Sequence, residues 1–207
     1  MIVAGAGGHA LELLDILISQ GMTENLYFFD GLNPISVFQD KYPVLKTMDQ
    51  VKAKFLEDPR FILGTGNPKV RAMFFEDFTK AGGILFSVKG TGIAYSNFAF
   101  NNDADIFNLC FIGANTKIGK GSLINTGAQI HHEVKIGKFS EINPGAILLG
   151  KVEVGDFCSI GANATILPKV KIGNYVTVGA GSVVTHNVPD GVTVLGMPAK
   201  KILESKD

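Results

Sequence analysis

The stretch FIGANTKIGKGSLINTGAQIHHEVKIG, residues 111–137, has isoleucine at 112, 118, 124, 130 and 136. Stepping by six continues the series through Ile142, Leu148, Val154, Ile160, Ile166, Ile172, Val178 and Val184, so thirteen successive hexads are aliphatic at one position. Four places on from each stands a small or β-branched residue, from Thr116, Ser122 and Ala128 to Ser182 and Val188. The place directly after the aliphatic is glycine seven times, as at Gly113, Gly119 and Gly137. A fixed short period of this kind marks stacked repeats, each too small to bury its apolar side alone. It predicts a parallel β-helix in which the aliphatic residue fills the axis and the small residue four places on also faces inward. The following glycine is expected to take the unusual backbone angles of a corner. Phe100 and Ile106 keep the phase, so the coils should begin near residue 90. The domain boundary is therefore expected between 1–88 and 89–207.

The bulk composition excludes several functions. Lysine plus arginine equals aspartate plus glutamate, 19 each, which argues against a general nucleic-acid or membrane-surface role. The apolar N-terminus, MIVAGAGGHALELLDILI, lacks a positive first region and a cleavage site, and Glu12 and Asp15 interrupt it, so no signal peptide is expected. No uninterrupted apolar run is long enough for a membrane span, and the two cysteines, Cys110 and Cys158, read as buried reduced thiols in a cytoplasmic protein.

The segments IGKGSL and IGANAT, followed by VPDGVTVLGMPAKKI, resemble the hexapeptide-repeat acyltransferases. The resemblance implies a left-handed β-helix with about three hexads per coil. It also implies a homotrimer, with acyl-coenzyme A held in the groove between neighbouring β-helices.

The first half reads differently. Residues 2–4, IVA, form a short buried strand; GAGGHA, Gly5–Ala10, is a glycine-rich turn; LELLDILISQG then has helical spacing and stops at Gly21. Glycines between a strand and a helix let backbone N–H groups and the helix N-terminus face a phosphate. A second strand, LYFFD, ends at Asp30, where a ribose-binding acid is expected. A third, FILGTGN, leads to Asn67 and Pro68, an N-cap and first helical residue, with the helix running through KVRAMFFEDFTKAG. Two readings stay open: a nucleotide-sugar site of a Rossmann-like α/β domain lined by Gly7, Gly8, His9, Asp30, Gly66 and Asn67, or tight strand–helix packing that merely needs glycine. Full NAD binding needs two such halves, and too few residues precede the repeats.

Together the halves resemble the subfamily that acetylates sugars for bacterial glycans, on nucleotide-linked 4-amino-4,6-dideoxy sugars or on sialic acids. One departure is notable: many relatives carry a histidine in an HPSA-like segment at the domain junction, where this chain has VKGTGIAYS. In the repeat, Ile130 points inward, so His131, His132 and Glu133 should follow the corner and outer face. Acetyl transfer to an amine requires removal of a proton, a task suited to imidazole, and an adjacent carboxylate can fix its tautomer. By resemblance, His132 is the general base, Glu133 its partner and Asn125 the third member of the set. Also by resemblance, Glu141, Gly150, Ala162 and Ala180 line the acetyl-CoA groove, with Lys200 near the cofactor's phosphates or simply solvated. No metal and no covalent acyl-enzyme are expected, and His186 reads as surface. The expected activity is an acetyl-CoA-dependent N-acetyltransferase of a nucleotide-linked 4-amino-4,6-dideoxy sugar; the alternatives are a sialic acid O-acetyltransferase and a non-enzymatic trimeric β-helix scaffold.

Overall fold

Each hexad contributes one two-residue strand, and each strand pairs in parallel with the strand eighteen residues further on, as in Ile112↔Ile130, Ile118↔Ile136 and Ile124↔Ile142. In this computed structural model, which describes residues 1–202, three hexads therefore make one coil. The coils stack into a left-handed parallel β-helix, a prism with three faces. Face one holds Ala94–Tyr95, Phe111–Ile112, Gln129–Ile130, Ile147–Leu148, Thr165–Ile166 and Val183–Val184. Face two runs from Phe100–Asn101 to Lys171–Ile172, and face three from Asp105–Ile106 through Thr177–Val178 to a closing hairpin, Thr193–Leu195 and Lys200–Lys201. The axis is filled by the aliphatic series and by the small residues four places on, which form one continuous buried cluster. Cys110 and Cys158 belong to it. Burial pushes the Cys110 thiol up to about 11, which leaves it protonated and inert.

The glycine after each aliphatic serves a purpose other than the expected one. None of those seven has a positive φ; the left-handed backbone falls two places later, at every sixth residue from Asn115 to Gly181, with φ between +52° and +71°. Side-chain-bearing residues such as Glu133, Phe139, Lys151 and Tyr175 hold that position as readily as Gly121 or Gly127. The glycines after the aliphatics instead permit close stacking. A Cβ on Gly113 would stand 2.8 Å from the His131 carbonyl carbon, and one on Gly161 2.5 Å from the Ala180 backbone nitrogen.

Met1–Val88 form a separate unit. Its strands are β1 (Ile2–Ala4), β2 (Tyr27–Phe29), β3 (Val37–Phe38), β4 (Tyr42–Leu45), β5 (Arg60–Leu63) and β6 (Ile84–Leu85), and its helices are α1 (Gly8–Ser19), α2 (Met48–Phe55) and α3 (Pro68–Lys80). The sheet order is β3-β4-β2-β1-β5-β6, parallel except for the edge pair β3–β4. The three expected strands are β1, β2 and β5; the sequence reading did not include β3, β4, α2 or β6. α1 buries Ala10, Leu13, Leu14, Ile16 and Leu17 and leaves Glu12 and Asp15 outside. α3 starts as expected: the Asn67 side chain accepts from the N–H groups of Lys69 and Val70, and Pro68 is the first helical residue. Phe61 and Phe78 meet edge-on at 5.3 Å within an aromatic cluster that packs α3 on the sheet. No described helix is long and apolar enough to cross a membrane.

Candidate functional site

The corner between faces one and two carries His131, His132 and Glu133 in sequence after the buried Ile130. Because coils stack in register, the next coil brings Gly150 and Lys151 alongside His132 and Glu133. The Lys151 N–H donates to the His132 carbonyl at 3.0 Å. The imidazole lies over Gly150, where a Cβ would come within 2.4 Å of Nε2. Both His132 and Glu133 side chains are exposed, and Nδ1 of His132 is 3.1 Å from Oε2 of Glu133. The same Oε2 lies 3.4 Å from the Lys151 ammonium. The bond from His132, together with the charge of Lys151, holds the Glu133 carboxyl below the usual carboxylate range. An ionised carboxylate accepting from Nδ1–H leaves Nε2 as the basic nitrogen, the arrangement a general base requires. His131 is half-buried and packs on the Phe111 ring at 5.3 Å, so the two adjacent histidines occupy different surroundings.

In the first unit, a cavity of about 640 Å³ opens at the carboxyl ends of β1, β2 and β5. Gly7, Gly8, His9 and Asp30 line it, together with Thr65, Phe74 and Asp77. Gly7 caps α1 without a side chain, and the first turn of that helix has no acidic residue, so its positive dipole end meets no side-chain countercharge there and suits an anion. A Cβ on Gly7 or Gly8 would meet nothing within 4 Å, so protein packing does not demand glycine there. Packing does demand it at Gly5 and Gly64, whose Cβ atoms would stand 2.7 Å from the Gly64 carbonyl oxygen and 2.5 Å from the Val3 side chain. The buried Arg71 donates to the Leu63 and Thr65 carbonyls. Burial, with the Arg71 guanidinium adding to it, pulls the His9 imidazole down to about 4. Asp30 is partly buried, which pushes its carboxyl up, but hydrogen bonds from Asn33 and Leu32 and the Lys46 ammonium hold it below the usual range.

Residues 1–78 match the PglD N-terminal domain, and residues 133–167 and 151–186 match the bacterial transferase hexapeptide family of six repeats. Solved structures resemble the chain over nearly its whole length. The acetyltransferase domain of PglB from Neisseria gonorrhoeae, in complex with acetyl coenzyme A, has a TM-score of 0.89 at 27% identity, covering 97% of this chain and 98% of that one. PerB from Caulobacter crescentus, in complex with CoA and GDP-perosamine, has a TM-score of 0.87 at 26% identity, covering 97% and 96%. WeeI from Acinetobacter baumannii shares the fold at 24% identity and a TM-score of 0.69, covering 97% and 98%. No curated protein matches.

The chain is an acyltransferase that joins a PglD N-terminal domain to bacterial transferase hexapeptide repeats. Within it the expected site residues fall into distinct groups. His132, Glu133 and Gly150 share the corner between faces one and two, whereas Asn125, Ala162 and Ala180 stand on the corner between faces three and one. Asn125 is buried, its side-chain oxygen accepts from the Thr126 N–H, and no hydrogen bond among the described residues joins it to His132. Glu141 is on face three, where it accepts from Ser159 Oγ at 3.4 Å. Lys200 is exposed on the terminal hairpin. Gly66 and Asn67 are not among the residues lining the cavity; Gly64 and Thr65 take that place, and the Asn67 oxygen is committed to capping α3. Lys151 was absent from the sequence reading of the acyltransferase. The eighteen-residue coil repeat, applied to Glu133, would have found it. Among the described residues no group of three or more His, Cys, Asp or Glu side chains could hold a metal ion.

Proposed function

We propose that the chain is an acetyl-CoA-dependent N-acetyltransferase whose acceptor is a nucleotide-linked 4-amino-4,6-dideoxy sugar. The observation that carries this reading is the exposed His132–Glu133 pair, 3.1 Å apart on a corner where Gly150 makes room for the ring. PglB and PerB, crystallised with acetyl coenzyme A and with CoA plus GDP-perosamine, support the class of donor and acceptor. The thioester supplies an activated acetyl group. Glu133 accepts from Nδ1–H and keeps the His132 ring oriented. Nε2 takes the proton that the sugar amine loses as its nitrogen bonds to the acetyl carbon, and returns it to the sulfur as the C–S bond breaks. The bare N-terminus of α1 takes the nucleotide's phosphates, and Asp30 accepts from ribose hydroxyls. The small residues Ala162 and Ala180 leave their corner low, as a close-lying pantetheine chain requires. The two corners flanking face one carry different parts of the expected site, so a groove lined by both kinds of corner is built from two copies in a homotrimer.

The test is release of free CoA from acetyl-CoA with a panel of UDP- and GDP-linked 4-amino-4,6-dideoxy sugars. At least one should turn over, and His132→Ala should lower kcat by about two to four orders of magnitude. If none turns over while some other acceptor is acetylated equally well by His132→Ala, the reading fails. Acetylation of a free sialic acid hydroxyl, with no response to nucleotide, would move the acceptor to that class.

A further inference from the structure

We infer that Lys151 is a positioning residue for the His132–Glu133 pair, an inference that rests on the reading of that pair as the proton-handling group. Glu133 is an exposed, unbranched side chain, and one contact to a ring leaves it free to leave its rotamer. Two donors from different coils converge on its Oε2: Nδ1 of His132 at 3.1 Å and Nζ of Lys151 at 3.4 Å. Glu133 and Lys151 hold the same left-handed corner position eighteen residues apart, at φ 61° and 64°. Coil stacking at roughly 4.8 Å delivers the ammonium to the carboxylate. The Lys151 backbone N–H donates to the His132 carbonyl at 3.0 Å, the inter-coil bond that sets the register in which the two side chains meet. Its neighbour Gly150 provides the floor for the ring. Lys169, one coil further along the same corner, makes no ion pair among the described residues, so the corner does not pair lysines in general. Exposed ion pairs add little to stability; the consequence of this one is the geometry of the base.

The test compares variants at saturating acetyl-CoA and acceptor. Lys151→Met is expected to lower kcat about three- to tenfold, the scale of one weakened hydrogen bond. The KM for acetyl-CoA should stay within about twofold, Lys151→Arg should restore the rate, and Lys169→Met should leave it unchanged. In a Glu133→Gln background, Lys151→Met should have no further effect. An additive loss in that background, a raised KM with intact kcat, or failure of the arginine to rescue would each overturn the assignment. The nitrogen–proton spectrum of the His132 ring decides independently of turnover. Its Nδ1–H signal should weaken in Lys151→Met, and an unchanged signal rejects the positioning role. If no amino sugar is acetylated by the wild type, the acceptor reading fails while this spectrum still judges Lys151.

Discussion

At Gly150 a methyl group would sit 2.4 Å from Nε2 and 2.5 Å from Cε1 of His132. The backbone there is not left-handed, so alanine itself is tolerated and the ring must move. Gly150→Ala is expected to lower kcat about tenfold or more through misplacement of the proposed base, His132, with melting changed by only a few degrees; steady-state kinetics beside a thermal melt checks both. His9 gives a second expectation, this one in stability. Its imidazole is near 4 in the folded chain and near 6.5 when unfolded. Between those values the unfolded chain binds a proton that the folded chain refuses. Stability therefore rises with pH through that window and is lost as pH falls from 6.5 towards 4, by about 3 kcal/mol in full. His9→Gln should flatten the fall in melting temperature between about pH 7 and 4.5, and a slope equal to wild type would refute the assignment. Neither effect was legible in the sequence. Gly150 and His132 lie eighteen residues apart, and the state of His9 depends on its burial in the folded unit and, to a lesser extent, on Arg71 from another helix.

The coil shows two distinct uses of glycine, and they predict different costs. Gly161→Ala puts a Cβ 2.5 Å from the Ala180 backbone nitrogen, where rigid backbone must shift, at about 2–3 kcal/mol. Gly127 has φ +71° and its nearest neighbour at 4.0 Å, so Gly127→Ala costs only the left-handed penalty, about 1 kcal/mol. Urea unfolding of the two variants should rank them in that order, and the reverse order would sink the stacking account. The period itself was plain, because thirteen aliphatics in phase admit no other element. The corner angle was hidden, because Phe139, Lys151 and Tyr175 adopt it without being glycine. α2 went unread although Thr47 and Gln50 form a complete capping box, a signal that a search for T-x-x-Q would have caught. The two residues of β3 are too few for any alternation to show.

The molecule carries its two candidate ligand sites on separate units, and they should respond separately. A nucleoside diphosphate and CoA, each at about a hundred times its Kd, should each stabilise the protein by about 2.7 kcal/mol. Gly7→Val should abolish the nucleotide's thermal shift and leave that of CoA, since Gly7 lines the cavity and a Cβ there meets no protein atom within 4 Å. Loss of both shifts would show that the variant damages the fold. Sequence alone determined the stacked repeat and the presence of His132 and Glu133 on an outward corner, because a six-residue period and a strand–turn–helix pattern are local properties of the chain; the hand of the coil and its three hexads per turn followed from the family resemblance, not from the period. It also pointed to Gly7, Gly8, His9 and Asp30. Only the tertiary structure decided which residues meet: Lys151 with Glu133, Gly150 with the imidazole, Thr65 rather than Gly66 at the cavity wall, and Asn125 away from the pair. Those partnerships depend on the register between coils and on the crossing of strands, which are set by backbone pairing between residues far apart in the chain.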